Sequence, residues 1–129
     1  YGVDADCAWD FIDLIETSAT PIYTVNMGVA ASAAALIFIA GKKRFMMPNA
    51  HVVIHEGAAK LSGDAVKVLD ASDSYRKELK HMKDFILSHT DIPSSTLSRR
   101  KNNDWELDAN ACIEYSVCDK IITSLDEVL

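Results

Sequence analysis

The stretch Val29–Ala40 constrains this chain most. It is apolar throughout except for Ser32, and it is rich in alanine. A bilayer-spanning helix needs about 20 apolar residues, so this run is too short to cross a membrane and reads as a buried helix. Its flanks frame it. Ahead lies Pro21–Met27 (PIYTVNM), a short strand by composition, preceded by the turn-like Thr17-Ser18-Ala19-Thr20. Gly28 then opens a helix from about Ala31 to Ala40, and Gly41-Lys42-Lys43 stops it with Gly41 as C-terminal cap. A strand delivering the chain into a buried helix already points to layers of sheet and helix.

The rest of the chain continues that alternation. Arg44–Met47 fits another short strand, Pro48-Asn49 marks a turn, and His51–His55 (HVVIH) is a β-branched run that reads as a buried strand. After the polar, Gly-containing Glu56–Gly63 comes a long amphipathic helix, about Asp64–Ser88. Its apolar positions are Ala65, Val68, Leu69, Tyr75, Leu79, Met82, Phe85 and Ile86. At 1.5 Å per residue it spans about 35–40 Å, more than a compact domain of this size needs. Part of it should project or pack on another subunit, with Leu79 and Met82 among the residues so covered. Asp6–Glu16 has helical spacing at Ala8, Phe11, Ile12 and Ile15. Pro93-Ser94-Ser95 starts a short helix to about Lys101. Asp108–Tyr115 forms a last helix capped by Asp108, and Cys118–Ile122 a closing strand. The 129 residues suit one domain of an α/β layered fold.

Charge and cysteine content exclude some functions. A net charge of -6 argues against nucleic acid or an anionic membrane as the main partner, because both need a basic face. The basic clusters Lys42–Arg44 and Arg99–Lys101 are short and fit solvated turns or helix ends. Cys7, Cys112 and Cys118 are odd in number and lack C-x-x-C spacing, which fits a reducing compartment and neither a disulfide framework nor a zinc site. The start carries no signal-peptide pattern. Its first residue is Tyr, as expected of a fragment or processed form.

Three residues carry candidate chemistry. Ser32, within GVAAS, stands where a strand turns into a helix, so unpaired amides and the helix dipole could stabilise an oxyanion beside it. The bland alternative is a serine that caps the helix. His55 ends the strand HVVIH beside a Gly-containing loop and could serve as general base for a serine hydroxyl. Alternatives are a core histidine, or a metal pair with His51 on the same strand face, although no Glu or Cys is placed to complete such a site. Asp104 could orient His55, or it could be an exposed loop aspartate.

The joint pattern GVAASAAALIFIAGKKRFMMPNAHVVIH resembles the central segment of the Clp protease proteolytic subunit family, ClpP. That family has a G-x-A-A-S nucleophile turn, an alanine-rich helix, a K-R-F-x-x-P-N turn and a strand ending in the catalytic histidine. The similarity continues through Ser88-His89-Thr90, Asp104, Glu114-Tyr115 and Asp119-Lys120-Ile121, and covers nearly the whole chain in one order. It implies a ClpP/crotonase-like α/β fold with repeated β-β-α units and a long projecting handle helix, in a single peptidase domain lacking the family's N-terminal strands. It implies a serine endopeptidase with Ser32 as nucleophile, His55 as base and Asp104 as orienting carboxylate. The oxyanion donors would be the backbone of Ala33 and of the Gly2–Val3 turn. Glu56, Gly57 and Ala58 would pair with the substrate strand.

The sequence also departs from the pattern. Gly2–Val3 has one glycine where the family has two, Glu56-Gly57-Ala58-Ala59 lacks the usual proline, and Ser116 replaces the glycine of the E-Y-G turn. A divergent member is implied, with phage or prophage encoding as one origin. No metal or organic cofactor is implied. The expected partners are a protein or peptide substrate, further copies in stacked rings, and an AAA+ unfoldase for folded substrates, in a bacterial or host cytoplasm. Three rival functions share the pattern: a phage-type head-maturation peptidase without an ATPase, a non-catalytic ring subunit, and a crotonase-type acyl-CoA enzyme.

Overall fold

The computed structural model describes residues 5–55, 64–100 and 104–129. In chain order the elements are α1 (Ala5–Thr17), β1 (Tyr23–Asn26), β2 (Val29–Ala31), α2 (Ala33–Ala40), β3 (Lys43–Met46), β4 (His51–Ile54), α3 (Ala65–His89), α4 (Ser94–Arg100), β5 (Trp105–Asp108), α5 (Ala109–Glu114) and β6 (Lys120–Ile121), followed by a 3₁₀ turn at Leu125–Glu127. β1-β2-α2 and β3-β4-α3 are two successive β-β-α units, and the class is α/β as the pattern implied.

The strands divide between two small sheets. One has the order β1-β3-β6 with parallel pairing throughout. The other has the order β2-β4-β5, with β4 parallel to β2 and antiparallel to β5. Asn26 joins them where the chain crosses from β1 to β2. Its Nδ2 donates to the His51 carbonyl at 2.8 Å and its Oδ1 accepts from the Gly28 amide at 3.1 Å. A side chain only 5% exposed needs such partners, because an unpaired buried amide is costly.

α2 is the central element. Its sequence AAALIFIA offers no polar face, and Ala33, Ala35, Leu36, Phe38, Ile39 and Ala40 are all buried. The core around it includes Ile12 of α1, Met46, Val52, Phe85, Ile86 and Leu107. Gly41 is the C-cap of the helix, as the sequence suggests, but not in the left-handed conformation common at helix ends. Its φ is -59°, and the glycine is needed because a Cβ there would collide with the Thr24 side chain. The Thr24 hydroxyl donates to the Phe38 carbonyl at 2.7 Å, closing the helix end. Ser116 does adopt the left-handed conformation, φ 57°, just past α5. The amides of Val117 and Ser116 return to the carbonyls of Cys112 and Ile113, a Schellman ending in which serine serves in place of glycine. Cys112 and Cys118 are core residues, and burial pushes their thiols up to about 12 and about 11.

Arg44 ties three helix ends together. Its guanidinium donates to the carbonyls of Ile39 at 2.7 Å and of His89 and Ser116 at 3.0 Å each. These lie at the C-terminal ends of α2, α3 and α5, where the helix dipoles and unpaired carbonyls favour a cation. Burial lowers the Arg44 pKa, and Asp119 acts against that shift. Replacing Arg44 with methionine strands all three carbonyls and is expected to cost about 3 kcal/mol of stability. Urea denaturation followed by circular dichroism checks this. Arg44→Lys should recover little of the loss, since an ammonium lacks the planar fork.

α3 is 25 residues long, about 37 Å by helical rise. Asp64 caps its start through the Lys67 amide. α1 grips its second half. Trp9 donates to Glu78 at 2.7 Å, stacks on His81 at 3.9 Å and meets Phe85 edge-on, while His89 bonds Glu16 at 2.7 Å. The first half stands away from the body, leaving Val66 67% and Leu69 65% exposed. Among the described residues no helix is long and apolar enough to cross a membrane.

Candidate active site

Strand register alone brings Ser32, His55 and Asp104 together. β2 and β4 run parallel with Ala31 beside Val53, so the residues that follow them emerge at the same end. Ser32 follows β2, and His55 follows β4 one residue beyond Ile54. β5 runs back along β4 with Trp105 opposite Ile54. Asp104, preceding Trp105, is therefore set next to His55.

Ser32 sits at the junction with φ 54° and ψ -123°, a backbone conformation that L-residues rarely adopt. A serine held this way at a sharp strand-to-helix turn exposes its hydroxyl above the sheet end. Ala30, Ala31 and Ala33, all buried, allow the tight approach. Although Ser32 is the N-cap residue of α2, its side chain makes no capping hydrogen bond. The Oγ instead makes a short hydrogen bond with His55 Nε2. The other ring nitrogen, Nδ1, is 3.8 Å from Asp104 Oδ1. That spacing is too long for a hydrogen bond. The His55 side chain is 29% exposed and that of Asp104 78% exposed.

The other predicted positions divide. Ala33 begins α2, and its amide is among the first-turn donors that no intrahelical carbonyl can reach. Gly2 and Val3, and Glu56, Gly57 and Ala58, lie outside the described residues. His51, the alternative metal partner, is at the far end of β4, with its Nδ1 3.2 Å from Glu106. Among the described residues no cluster of three or more His, Cys, Asp or Glu side chains is gathered to hold a metal ion.

A cavity of about 280 Å³ opens beside His55. Its apolar wall consists of Ile54, Leu79, Met82, Ile86 and Leu97. Leu79 and Met82, read from the sequence as subunit contacts, thus border the space next to the histidine. A helical stripe shows which residues share a face but not what that face meets.

The chain is similar to known proteins over most of its length. The Clp protease family model matches residues 3–125. The ATP-dependent Clp protease proteolytic subunit 2 of Treponema denticola is 31% identical, over 98% of this chain and 64% of the relative. The proteolytic subunit 2 of Treponema pallidum is 30% identical over 94% of this chain and 62% of its own length. The ATP-dependent Clp protease proteolytic subunit of Deinococcus radiodurans is 26% identical over 89% and 57% respectively. The chain spans less than two thirds of the length of these relatives. With the family's pattern matched from Val3 to Leu125, the chain belongs to the Clp protease family.

Proposed function

We propose that this chain is a serine endopeptidase whose nucleophile is Ser32, activated by His55 and Asp104. The observation that carries this reading is the Ser32–His55 hydrogen bond, made by a serine in a strained backbone turn that leaves its helix uncapped. Strained residues cluster where function requires them. With the His55 proton on Nδ1, facing Asp104, Nε2 accepts the Ser32 hydrogen. The Oγ–carbonyl bond then forms as that proton moves to His55. Negative charge on the carbonyl oxygen is met by the Ala33 amide and the positive end of α2. A second donor from the Gly2–Val3 turn is part of the proposal. Collapse breaks the C–N bond, and His55 returns the proton to the leaving amine. Water, activated by the same histidine, hydrolyses the acyl-enzyme. Glu56, Gly57 and Ala58 would hold the substrate as an added strand.

The relatives named above are ATP-dependent by name. By extension, an ATP-driven unfoldase delivers folded substrates to this chain, and further copies form a ring-shaped chamber. The exposed first half of α3 supports association between copies, since Val66 and Leu69 otherwise leave apolar area in water.

A fluorophosphonate probe tests the nucleophile. Peptide mapping should find a single modification, on Ser32, and none on the Ser32→Ala variant. Labelling at Ser94 or Ser98 instead would sink the assignment.

A further inference from the structure

The cavity beside His55 is not purely apolar. Among the described residues, each charged side chain lining it other than the histidine is a cation: Arg76, Lys80 and Lys83. This occurs in a chain of net charge -6, so the sign is opposite to that of the molecule as a whole. Arg76 and Lys80 have carboxylate neighbours on their own helix, Asp73 at 3.9 Å and Asp84 at 2.7 Å, both pairs well exposed and therefore weak. Lys83 differs from both. It is half-buried, and its ammonium donates to the Ser98 hydroxyl of α4 at 3.1 Å. Among the described residues no carboxylate lies within ion-pair distance of it.

An ammonium has three donors and serine supplies no charge. Filling the cavity with an apolar side chain would strip water from Lys83 and leave its charge uncompensated. A carboxylate would satisfy both the charge and the remaining donors. The walls of Leu79, Met82, Ile86 and Leu97 suit methylene groups leading to it. A side chain with an apolar stem and an anionic end is glutamate. We propose that this cavity makes the enzyme select a glutamate adjacent to the bond it cuts, with Lys83 as the residue that determines the preference. The inference rests on the serine-peptidase reading and adds a substrate class to it.

The test uses the full chain as purified, in its assembled state. Internally quenched peptides differ at one position, Glu, Gln or Leu, set on either side of the scissile bond, and mass spectrometry locates the cut. The Glu peptide should exceed its Gln isostere by about tenfold in kcat/KM at low salt, as expected for gaining one charge-assisted hydrogen bond. The ratio should decline as salt rises. In Lys83→Met it should fall to near one, and in Lys83→Glu it should drop below one. A wild-type ratio of one or less overturns the proposal, as does a ratio unchanged in both variants. Cleavage of the Leu or Gln peptide with Ser32 labelled, but refusal of Glu, overturns the specificity alone. No cleavage of any peptide together with an unlabelled Ser32 overturns the peptidase reading and the specificity with it.

Discussion

Replacing Ser32 with alanine is expected to lower peptide turnover by about 10⁴–10⁶-fold, the largest effect of any single change in this chain. His55→Ala should come close to it, because a serine hydroxyl without its base is a poor nucleophile. Asp104→Asn should cost about 10²–10⁴-fold. The lower part of that range is the better expectation if the 3.8 Å contact of this exposed carboxylate does not tighten on substrate binding. The double variant of His55 and Asp104 should lose little more than His55→Ala alone, since the residues act as one unit. Losses that multiply would show that they serve separate steps. His51→Ala, at the other end of β4, is the control and should retain activity.

The backbone position of Ser32 also carries a stability signature. At φ 54° and ψ -123° the backbone of Ser32 stores strain that any residue with a Cβ shares. Ser32→Gly relieves it and should raise unfolding stability by about 1 kcal/mol, while Ser32→Ala should not. Both variants should be inactive. Measured side by side in urea, they separate the backbone cost from the side-chain chemistry. Equal stabilities would remove strain from the account.

The second large effect concerns assembly. Leu69→Glu is expected to dissociate the oligomer and to reduce peptidase activity at least tenfold, from a position on the projecting half of α3. Val66 and Leu69, each about two thirds exposed, leave unrealised about 1–2 kcal/mol of burial apiece, which the proposed contact with a second copy would recover. A charge in that contact costs several kcal/mol more. The loss of activity is expected because α3 also walls the cavity beside His55. Leu79 and Met82 would be poor choices for this test, since they line that cavity and would confound assembly with binding. Light scattering after size exclusion, run with a peptide assay, reads both quantities. A monomer with full activity would show that the two are uncoupled.

Much of the architecture was legible beforehand because local patterns record which faces are apolar. The AAALIFIA run announced a buried helix, the stripe to Ile86 announced α3, and Asp108 was recognisable as the cap of α5, where it accepts from the Ala111 amide. β5 was missed although Trp105-Glu106-Leu107-Asp108 alternates apolar and polar, the period-two signal of a half-buried strand. β2 could not have been found that way. Its three residues are absorbed in the apolar run before α2, and only pairing with β4 makes them a strand.

The site divides along the same line. Sequence by itself determined the residue types, their order and their likeness to one family, and hence Ser32, His55 and Asp104 as candidates. It left open whether Ser32 caps its helix, whether His55 is a core residue and whether Asp104 is a loop carboxylate, because each alternative uses the same local sequence. The tertiary structure decided where these side chains go. Parallel pairing of β2 with β4 and antiparallel pairing of β4 with β5 bring together residues distant in the chain. The positive φ of Ser32 turns its hydroxyl from the helix amides to His55 Nε2. The place of Lys83 in the cavity lining, with its ammonium on the Ser98 hydroxyl, was equally invisible, since a lysine on an amphipathic helix reads as solvated until the strand and helix that face it are known. Periodicity encodes a face, whereas register and strain depend on what the face packs against, and that is set by contacts far apart in sequence.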